Sequence, residues 1–243
     1  MKALIPAAGC GTRLRPFTYA IPKELLPVGN KAVIEHVVDA LKIACITDII
    51  IVVSPHKPII LEYLGSGKRL GVNITYVVQD DPLGLANAVL TGKPLINTTF
   101  AVVLGDNFFF PKIFIKELIE YHKEIGADAS IGAFEVEDVT RHGIILPKGN
   151  NVIDFIEKPR PEKAPSNIGD MGAYIFEPVI FDAIQKTKIG YNNEYQLTDS
   201  IKILIEEGKK VVYKKITKIH IDVGTPEDLM KVNRYYLQHY YKW

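Results

Sequence analysis

A glycine-rich turn followed by two cations lies near the N-terminus. Gly9 and Gly11 come after a short apolar run, with Arg13 and Lys23 further along the chain. Because glycine has no Cβ, a phosphate can approach the backbone N–H groups of such a turn closely. Arginine can bind two phosphate oxygens at once, and lysine acts as a compact point charge. The pattern indicates a site for a phosphorylated ligand, and its alternative is a simple turn.

The same turn departs from two familiar nucleotide-binding motifs. Leu14 occupies the third glycine position of a dinucleotide fingerprint, and Pro16 and Pro22 argue against a helix that starts at once. The Gly-Lys-Ser/Thr of a Walker loop is missing as well. A nicotinamide-dependent oxidoreductase is therefore disfavoured.

Two carboxylates stand where extended segments are predicted to end. Asp106 follows the apolar run 100–104, and Asp222 lies near the end of the extended run 219–223, ahead of a predicted helix. Two such carboxylates could share Mg²⁺ with triphosphate oxygens. An aspartate after a strand is more often a turn or capping residue. Each aspartate alone is therefore weak evidence for a metal site.

Two further segments carry polar groups of the right type. Gln79, followed by Pro82 and Gly84, comes after a predicted strand, and a glutamine can both donate to and accept from a base edge. Ligands of open α/β sheets lie beyond the carboxyl ends of the strands. Glu157 and Lys158 form the second segment. The alternatives are a helix-capping Asp-Pro turn and an exposed charged pair before a proline.

The elements that must position these residues follow a regular order. Over residues 1–136, strand-length apolar runs alternate with helix-period segments, including a predicted helix over 31–45 with Asn30 as its cap. This order predicts a mostly parallel sheet with helices on both faces. Shorter extended pieces follow from about residue 137. We expect one α/β domain over 1–243, with a nucleotide-binding half over 1–136 and an acceptor-binding half over 137–243.

Composition limits the partners of the protein. A chain of 243 residues suits one large domain, and a net charge of +1 gives no electrostatic footprint for nucleic acid or an anionic membrane. No apolar run approaches the roughly 20 residues of a membrane span. We therefore expect a cytoplasmic protein that binds neither nucleic acid nor membrane.

Together, the run 9–18 and the run 22–28 closely resemble the opening of the sugar-1-phosphate nucleotidyltransferases, and most of all the glucose-1-phosphate thymidylyltransferase branch, with the uridylyltransferases next. The resemblance implies a Rossmann-like mixed, mostly parallel sheet flanked by helices, the nucleotide-diphospho-sugar transferase fold. It also implies transfer from a nucleoside triphosphate, with dTTP favoured and UTP possible, to a sugar 1-phosphate such as glucose 1-phosphate. The alternatives are a UTP–glucose-1-phosphate uridylyltransferase and a non-catalytic nucleotide-sugar-binding regulatory subunit.

The resemblance also assigns roles to residues. It implies catalytic roles for Arg13, Lys23 and Lys158, and Mg²⁺ ligands at Asp106 and Asp222. The nucleotide-binding residues that it implies are Ala8, Gly9, Gly11, Thr12, Arg13, Lys23, Gln79, Pro82, Gly84 and Asp106. The implied sugar-binding residues are Gly143, Glu157, Lys158, Asn167, Asp170, Gly172 and Tyr174.

The sequence departs from the family pattern near the sugar pocket. His142 stands where many relatives carry tyrosine, and Asp170 and Met171 replace small or apolar residues. We expect Asp170 to affect the preference for sugar. The aromatic tail Tyr235, Tyr236, Tyr240, Tyr241 and Trp243 is interpreted as a helix face that packs on the body or on a second subunit. We also expect a homo-oligomer, a dimer or a tetramer.

Overall fold

The computed structural model describes residues 1–240. Tyr241 and Trp243 of the predicted aromatic tail lie outside the described residues. None of the helices in residues 1–240 combines the length and apolar character that a membrane crossing requires.

The elements alternate as the sequence predicts. The strands are β1 Lys2–Ala7, β2 Pro27–Val28, β3 Lys31–Ala32, β4 Asp48–Val53, β5 Asn73–Val78, β6 Phe100–Val103, β7 Asn107–Phe110, β8 Ala129–Glu135, β9 Gly143–Lys148, β10 Asn151–Glu157, β11 Ile168–Phe176, β12 Val211–Lys215 and β13 Ile219–Asp222. The helices are α1 Phe17–Ala20, α2 Val33–Ile43, α3 Pro58–Leu64, α4 Leu85–Thr91, α5 Phe114–Ile125, α6 Ile180–Lys186, α7 Leu197–Glu206 and α8 Pro226–His239.

Nine strands form one mixed sheet in the order β5-β4-β1-β6-β11-β8-β12-β10-β9. The strands β5, β4, β1 and β6 run parallel to one another, as expected for the first half of the chain. Antiparallel pairings with β11 and between β9 and β10 bring in the second half. Both halves therefore contribute to one sheet, and the predicted mixed α/β fold is confirmed.

Alternate residues of the central strands pack on opposite faces, because successive side chains of a strand point to opposite sides. On β1, Ala3 and Ile5 join a cluster with α2 and α5, whereas Leu4 joins a cluster with α4, α6 and α7. All three side chains are completely buried. Helices thus pack against both faces of the sheet.

The helix α2 begins at Val33, and Asn30 is not its cap, so that part of the prediction is wrong. The side chain of Glu35 instead accepts a hydrogen bond from the Ala32 N–H at 3.2 Å. Asn30 accepts a hydrogen bond from the Tyr236 hydroxyl at 2.9 Å. The side chain of Asn30, which the sequence predicted as the helix cap, is thus bonded to a residue 206 positions further along the chain.

A third apolar cluster attaches α8 to the body. Val232 packs there with Val28, Phe108 and Ile221, and Tyr235 and Tyr236 pack against the cluster while partly buried. The interpretation of these two tyrosines as a packing face is therefore confirmed for contacts within the chain.

Candidate active site

A cavity of about 220 Å³ opens at the carboxyl ends of the central strands. The predicted residues that line it are Arg13, Lys23, Asp106, Gly143, Glu157, Lys158, Asp170, Gly172, Tyr174 and Asp222. A larger cavity of about 630 Å³ adjoins it, and of the predicted residues only Asp222 borders both. The smaller cavity is therefore the candidate active site, because cations and carboxylates from both halves of the chain line it together.

Other predicted residues lie outside the lining of this cavity, namely Ala8, Gly9, Gly11, Thr12, Gln79, Pro82, Gly84 and Asn167. Gly9 is close to the site nonetheless, because a Cβ built on it would lie 3.9 Å from the Lys23 Cε atom. Asn167 is exposed, and its backbone carbonyl accepts a hydrogen bond from the Val136 N–H at 2.9 Å. The structure thus brings the glycine turn next to the site, whereas Asn167 does not line the cavity.

The glycine turn is closed by a threonine. Gly11 has a φ of 64°, a conformation that glycine adopts without strain. The Thr18 hydroxyl donates a hydrogen bond to the Gly11 carbonyl at 2.8 Å. One 3₁₀ turn over Thr12–Leu14 follows and ends in the fully buried Leu14. The buried Leu14 anchors the short segment that carries Arg13 to the cavity.

Asp106 and Asp222 are brought together by a small two-stranded sheet. The strand β13 pairs with β7 in antiparallel register, with Asp222 opposite Asn107, the residue next to Asp106. The backbone N–H of Val223 also donates to the Asp106 carbonyl at 3.0 Å. The two carboxyl groups thereby lie close enough to shift each other's pKa.

Lys23 forms an ion pair with the carboxylate of Asp106. Burial opposes the charge on Lys23, but the carboxylates of Asp106 and Glu24 raise the lysine pKa above its usual value. Burial likewise opposes the charge on Asp106, and the Lys23 ammonium holds the pKa of Asp106 below its usual range. Lys23 is therefore a fixed cation at the site.

Among residues 1–240, no lysine, arginine or histidine forms an ion pair with Asp222. Burial and the charge of Asp106 raise the pKa of Asp222 to about 7, and Lys23 and Arg13 offset this only in part. Two carboxylates in contact disfavour each other's ionised form unless a cation lies between them. This pair of carboxylates is consequently suited to a bound cation.

The donor set fits Mg²⁺. Within residues 1–240, no group of three or more His, Cys, Asp and Glu side chains could hold a metal ion. Asp106 and Asp222 supply only carboxylate oxygens, and Mg²⁺ is commonly held by one or two carboxylates together with waters and substrate phosphates. The two aspartates therefore suit a metal that the substrate helps to bind.

A buried ion pair that the sequence analysis missed supports Lys23 from behind. Glu24 is 1% exposed, and the Lys57 ammonium donates to its two carboxylate oxygens at 3.1 and 3.0 Å. The same ammonium donates to the Ala7 carbonyl at 3.1 Å. Lys57 thereby joins the end of β1 to the segment that carries Lys23. Its position 33 residues from Glu24 gave no local signal.

The predicted base-reading segment is shaped by a close backbone approach. Gly84 has a φ of 105°, and a Cβ there would lie 2.6 Å from the Tyr195 carbonyl oxygen. Tyr195 donates its N–H to the Leu83 carbonyl at 2.8 Å and accepts from the Ala86 N–H at 3.0 Å. Gln79 is buried, and its Nε2 donates to the Asn87 side chain at 2.7 Å. These contacts fix the orientation of the Gln79 amide.

Glu157 and Lys158 line the cavity side by side. Their side chains make an ion pair at 3.0 Å, and the Thr198 hydroxyl donates to Glu157 at 2.6 Å. The Lys158 N–H also donates to the His142 carbonyl at 3.1 Å. Tyr191, which the sequence analysis missed, lies with its ring 5.1 Å from the Lys158 ammonium. Its position in a turn-rich stretch gave no periodic signal.

Comparison with known proteins decides the family. The model of the nucleotidyl transferase family matches residues 2–239. The chain belongs to the nucleotidyl transferase family.

This nucleotidyltransferase has relatives with named activities. It is 37% identical over 242 residues to the low-salt glycan biosynthesis nucleotidyltransferase Agl11 of Haloferax volcanii, with 98% of this chain and 66% of that protein covered. It is 40% identical over 230 residues to a UTP–glucose-1-phosphate uridylyltransferase of Staphylococcus haemolyticus, with 82% of this chain and 80% of that protein covered. The chain thus spans about two thirds of the haloarchaeal relative's length.

Solved structures share the same fold. A glucose-1-phosphate thymidylyltransferase structure from Bacillus anthracis, in complex with sucrose, superimposes with a TM-score of 0.89 at 30% identity and covers 100% of this chain and 98% of its own. A UDP-glucose pyrophosphorylase complexed with UDP-glucose superimposes with a TM-score of 0.89 at 31% identity, with 98% of each chain covered. By TM-score, these two structures are equally similar to this chain.

Proposed function

We propose that the protein transfers a nucleotidyl group from a nucleoside triphosphate to a sugar 1-phosphate, which yields a nucleotide sugar and pyrophosphate. The observation that carries this proposal is the lining of a single cavity by two sets of groups. The first set is Arg13, Lys23, Asp106 and Asp222, and the second set is Glu157 and Lys158. Such a site can hold a polyanion beside a second, phosphorylated ligand.

The chemistry needs positioning and charge stabilisation more than proton transfer. A phosphate oxygen of the sugar 1-phosphate attacks the α-phosphorus, and the bond from the α-phosphorus to the oxygen that bridges to the β-phosphorus breaks. Pyrophosphate leaves with that bonding pair. Arg13 and Lys23 stabilise the charge on the triphosphate, and Lys158 holds the sugar phosphate. When bound at Asp106 and Asp222, Mg²⁺ supplies further charge stabilisation and a template for the phosphates.

For the nucleotide, we propose dTTP, with UTP as the second candidate. The Nε2 group of Gln79 donates to the Gly84 carbonyl and to the Asn87 side chain, which leaves Oε1 to accept a hydrogen bond from the imide N–H that thymine and uracil share. One methyl group, worth about 0.8 kcal/mol when buried, separates the two bases. UTP is supported as a candidate by the uridylyltransferase relatives and the pyrophosphorylase structure. We propose glucose 1-phosphate as the reference acceptor.

A matrix assay tests the proposal. Each of dTTP, UTP, ATP, CTP and GTP is incubated with several sugar 1-phosphates and Mg²⁺, and both pyrophosphate and nucleotide sugar are measured. We expect product with dTTP or UTP and little with the purine nucleotides. Tight nucleotide-sugar binding without pyrophosphate release in any combination would support the regulatory-subunit alternative and contradict the proposed function.

A further inference from the structure

Asp170 is the feature of the acceptor pocket that the proposed reaction does not use. It lies early on β11, lines the cavity and is partly exposed to it. The hydroxyl of Tyr174 donates a hydrogen bond to its carboxylate. A side chain held this firmly at the wall of a substrate cavity has a defined orientation toward whatever enters.

The strand register places Asp170 beside Glu157. Gly143 is opposite Glu157 in the β9–β10 pairing, and the next residue of β9 is opposite Gly169 of β11. The backbone of Gly143 lies close enough to the Asp170 carboxylate to oppose the rise in its pKa. The two carboxylates therefore flank the start of β9 and face the same cavity.

This end of the cavity carries more negative than positive charge. Lys158 is bonded to Glu157, and within residues 1–240 no lysine, arginine or histidine forms an ion pair with Asp170. Arg141, which also lines the cavity, is committed to Asp228 at 2.6 Å. In the proposed reaction Lys158 binds the phosphate of the acceptor. Its ammonium group is then shared with that phosphate and neutralises Glu157 less.

The electrostatics agree with this geometry. Burial and the charge of Glu157 raise the pKa of Asp170 to about 7, against the opposing effect of the Tyr174 hydrogen bond. Burial, and again the charge of Glu157, also raise the pKa of Asp199 next to the pocket. A cation placed between Asp170 and Glu157 would remove the repulsion between the two carboxylates.

We propose that the acceptor pocket selects a sugar 1-phosphate that carries a protonated amino group, bound jointly by Asp170 and Glu157. This inference rests on the proposed function and names its substrate class. The protonated amine donates hydrogen bonds to the two carboxylates and adds the attraction between its positive charge and theirs, which a neutral hydroxyl lacks. An acceptor with an extra carboxylate is disfavoured at the same place by like-charge repulsion.

The test is a panel of acceptors with the intact protein, Mg²⁺ and the nucleotide that gives turnover with glucose 1-phosphate. The panel contains the 1-phosphates of glucose, of its 2-, 3-, 4- and 6-amino-deoxy derivatives, of the N-acetylated form of each amino sugar, and of glucuronic acid. We expect kcat/KM for one amino sugar to exceed that for glucose by about tenfold, equal to about 1.4 kcal/mol. We expect its N-acetylated form to lose this advantage, and glucuronic acid to rank last.

The variant Asp170→Asn separates charge from shape. We expect the preference for the amino sugar over glucose to fall to about twofold or less, since the amide bears no charge. The matched control is Asp182→Asn, an identical change at an exposed position on α6, which should keep the wild-type ratio. Comparison of the amino sugar with its N-acetylated form in the wild type keeps the test decisive if Asp170→Asn does not fold.

Different results would contradict the preference for an amino sugar and the proposed nucleotidyl transfer. Turnover of glucose 1-phosphate with no amino sugar preferred would overturn the inference alone. A preference that survives Asp170→Asn unchanged would overturn it too, because Asp170 would then act as a neutral donor or a packing residue. Absence of product with every acceptor and every nucleotide would instead overturn the proposed function.

Discussion

The buried ion pair between Glu24 and Lys57 offers a quantitative test of how the site is held. The Lys57 side chain is 11% exposed and the Glu24 side chain is 1% exposed. The variant Lys57→Met keeps much of the volume but leaves the Glu24 carboxylate buried without its cation. It also removes the donor to the Ala7 carbonyl. Breaking a buried pair in this way costs about 3–5 kcal/mol.

For a chain of this size, that loss corresponds to a fall in Tm of roughly 10 °C. Urea unfolding followed by circular dichroism gives the free energy directly. The double variant Glu24→Leu/Lys57→Met should recover most of the loss, because a hydrophobic replacement for a buried pair is often neutral. Lys186→Met, which breaks the exposed pair with Glu207, serves as control and should change stability little, because water screens an exposed ion pair.

Two outcomes would refute the reasoning. A loss below about 1 kcal/mol for Lys57→Met would show that the pair is solvated and not buried in the way the structure indicates. A double variant that is as unstable as the sum of the single variants would show that the two residues act independently. Steady-state kinetics of the folded single variant should also show a raised KM for the nucleotide, because Lys23 adjoins Glu24 in the same short segment.

Three further predictions concern the metal, the acceptor and acid stability. Asp106→Asn should lower kcat by about 100-fold or more at saturating Mg²⁺, the size of effect expected from losing a transition-state charge stabiliser, and near-wild-type turnover would rule out the metal assignment. Lys158→Ala should raise KM for the sugar 1-phosphate by about tenfold or more, the equivalent of one charge-assisted hydrogen bond, while an unchanged KM would contradict its role. Burial lowers the pKa of His36 to about 4, so the unfolded state takes up a proton first as the pH falls. His36 by itself should therefore contribute a loss of stability of about 3 kcal/mol as the pH falls from about 6.5 to about 4. The difference in unfolding free energy between the wild type and His36→Leu, measured by urea unfolding, should change by that amount over this range, and a difference that does not depend on pH would exclude His36 as a source.

The short motifs were accessible from the sequence because their chemistry is local. A glycine turn with Arg13, a Gln79 after a strand and a Glu157–Lys158 pair each carry donors, acceptors and charges within a few residues. The alternation of strand and helix segments likewise predicted the α/β sheet, since side-chain periodicity is a property of neighbouring residues. The helix cap at Asn30 was mispredicted because a tertiary contact with Tyr236 took its side chain.

The pairing of strands decided which residues distant in sequence lie together. Asp106 meets Asp222 through the β7–β13 pairing, and Asp170 meets Glu157 through the register of β9, β10 and β11. Lys57 reaches Glu24 only when β1 and β4 lie side by side. Residue types and spacing thus determined which chemistry the chain could perform. The tertiary structure alone decided which charges share the cavity, because electrostatic coupling depends on distance and burial in space and not on separation along the chain.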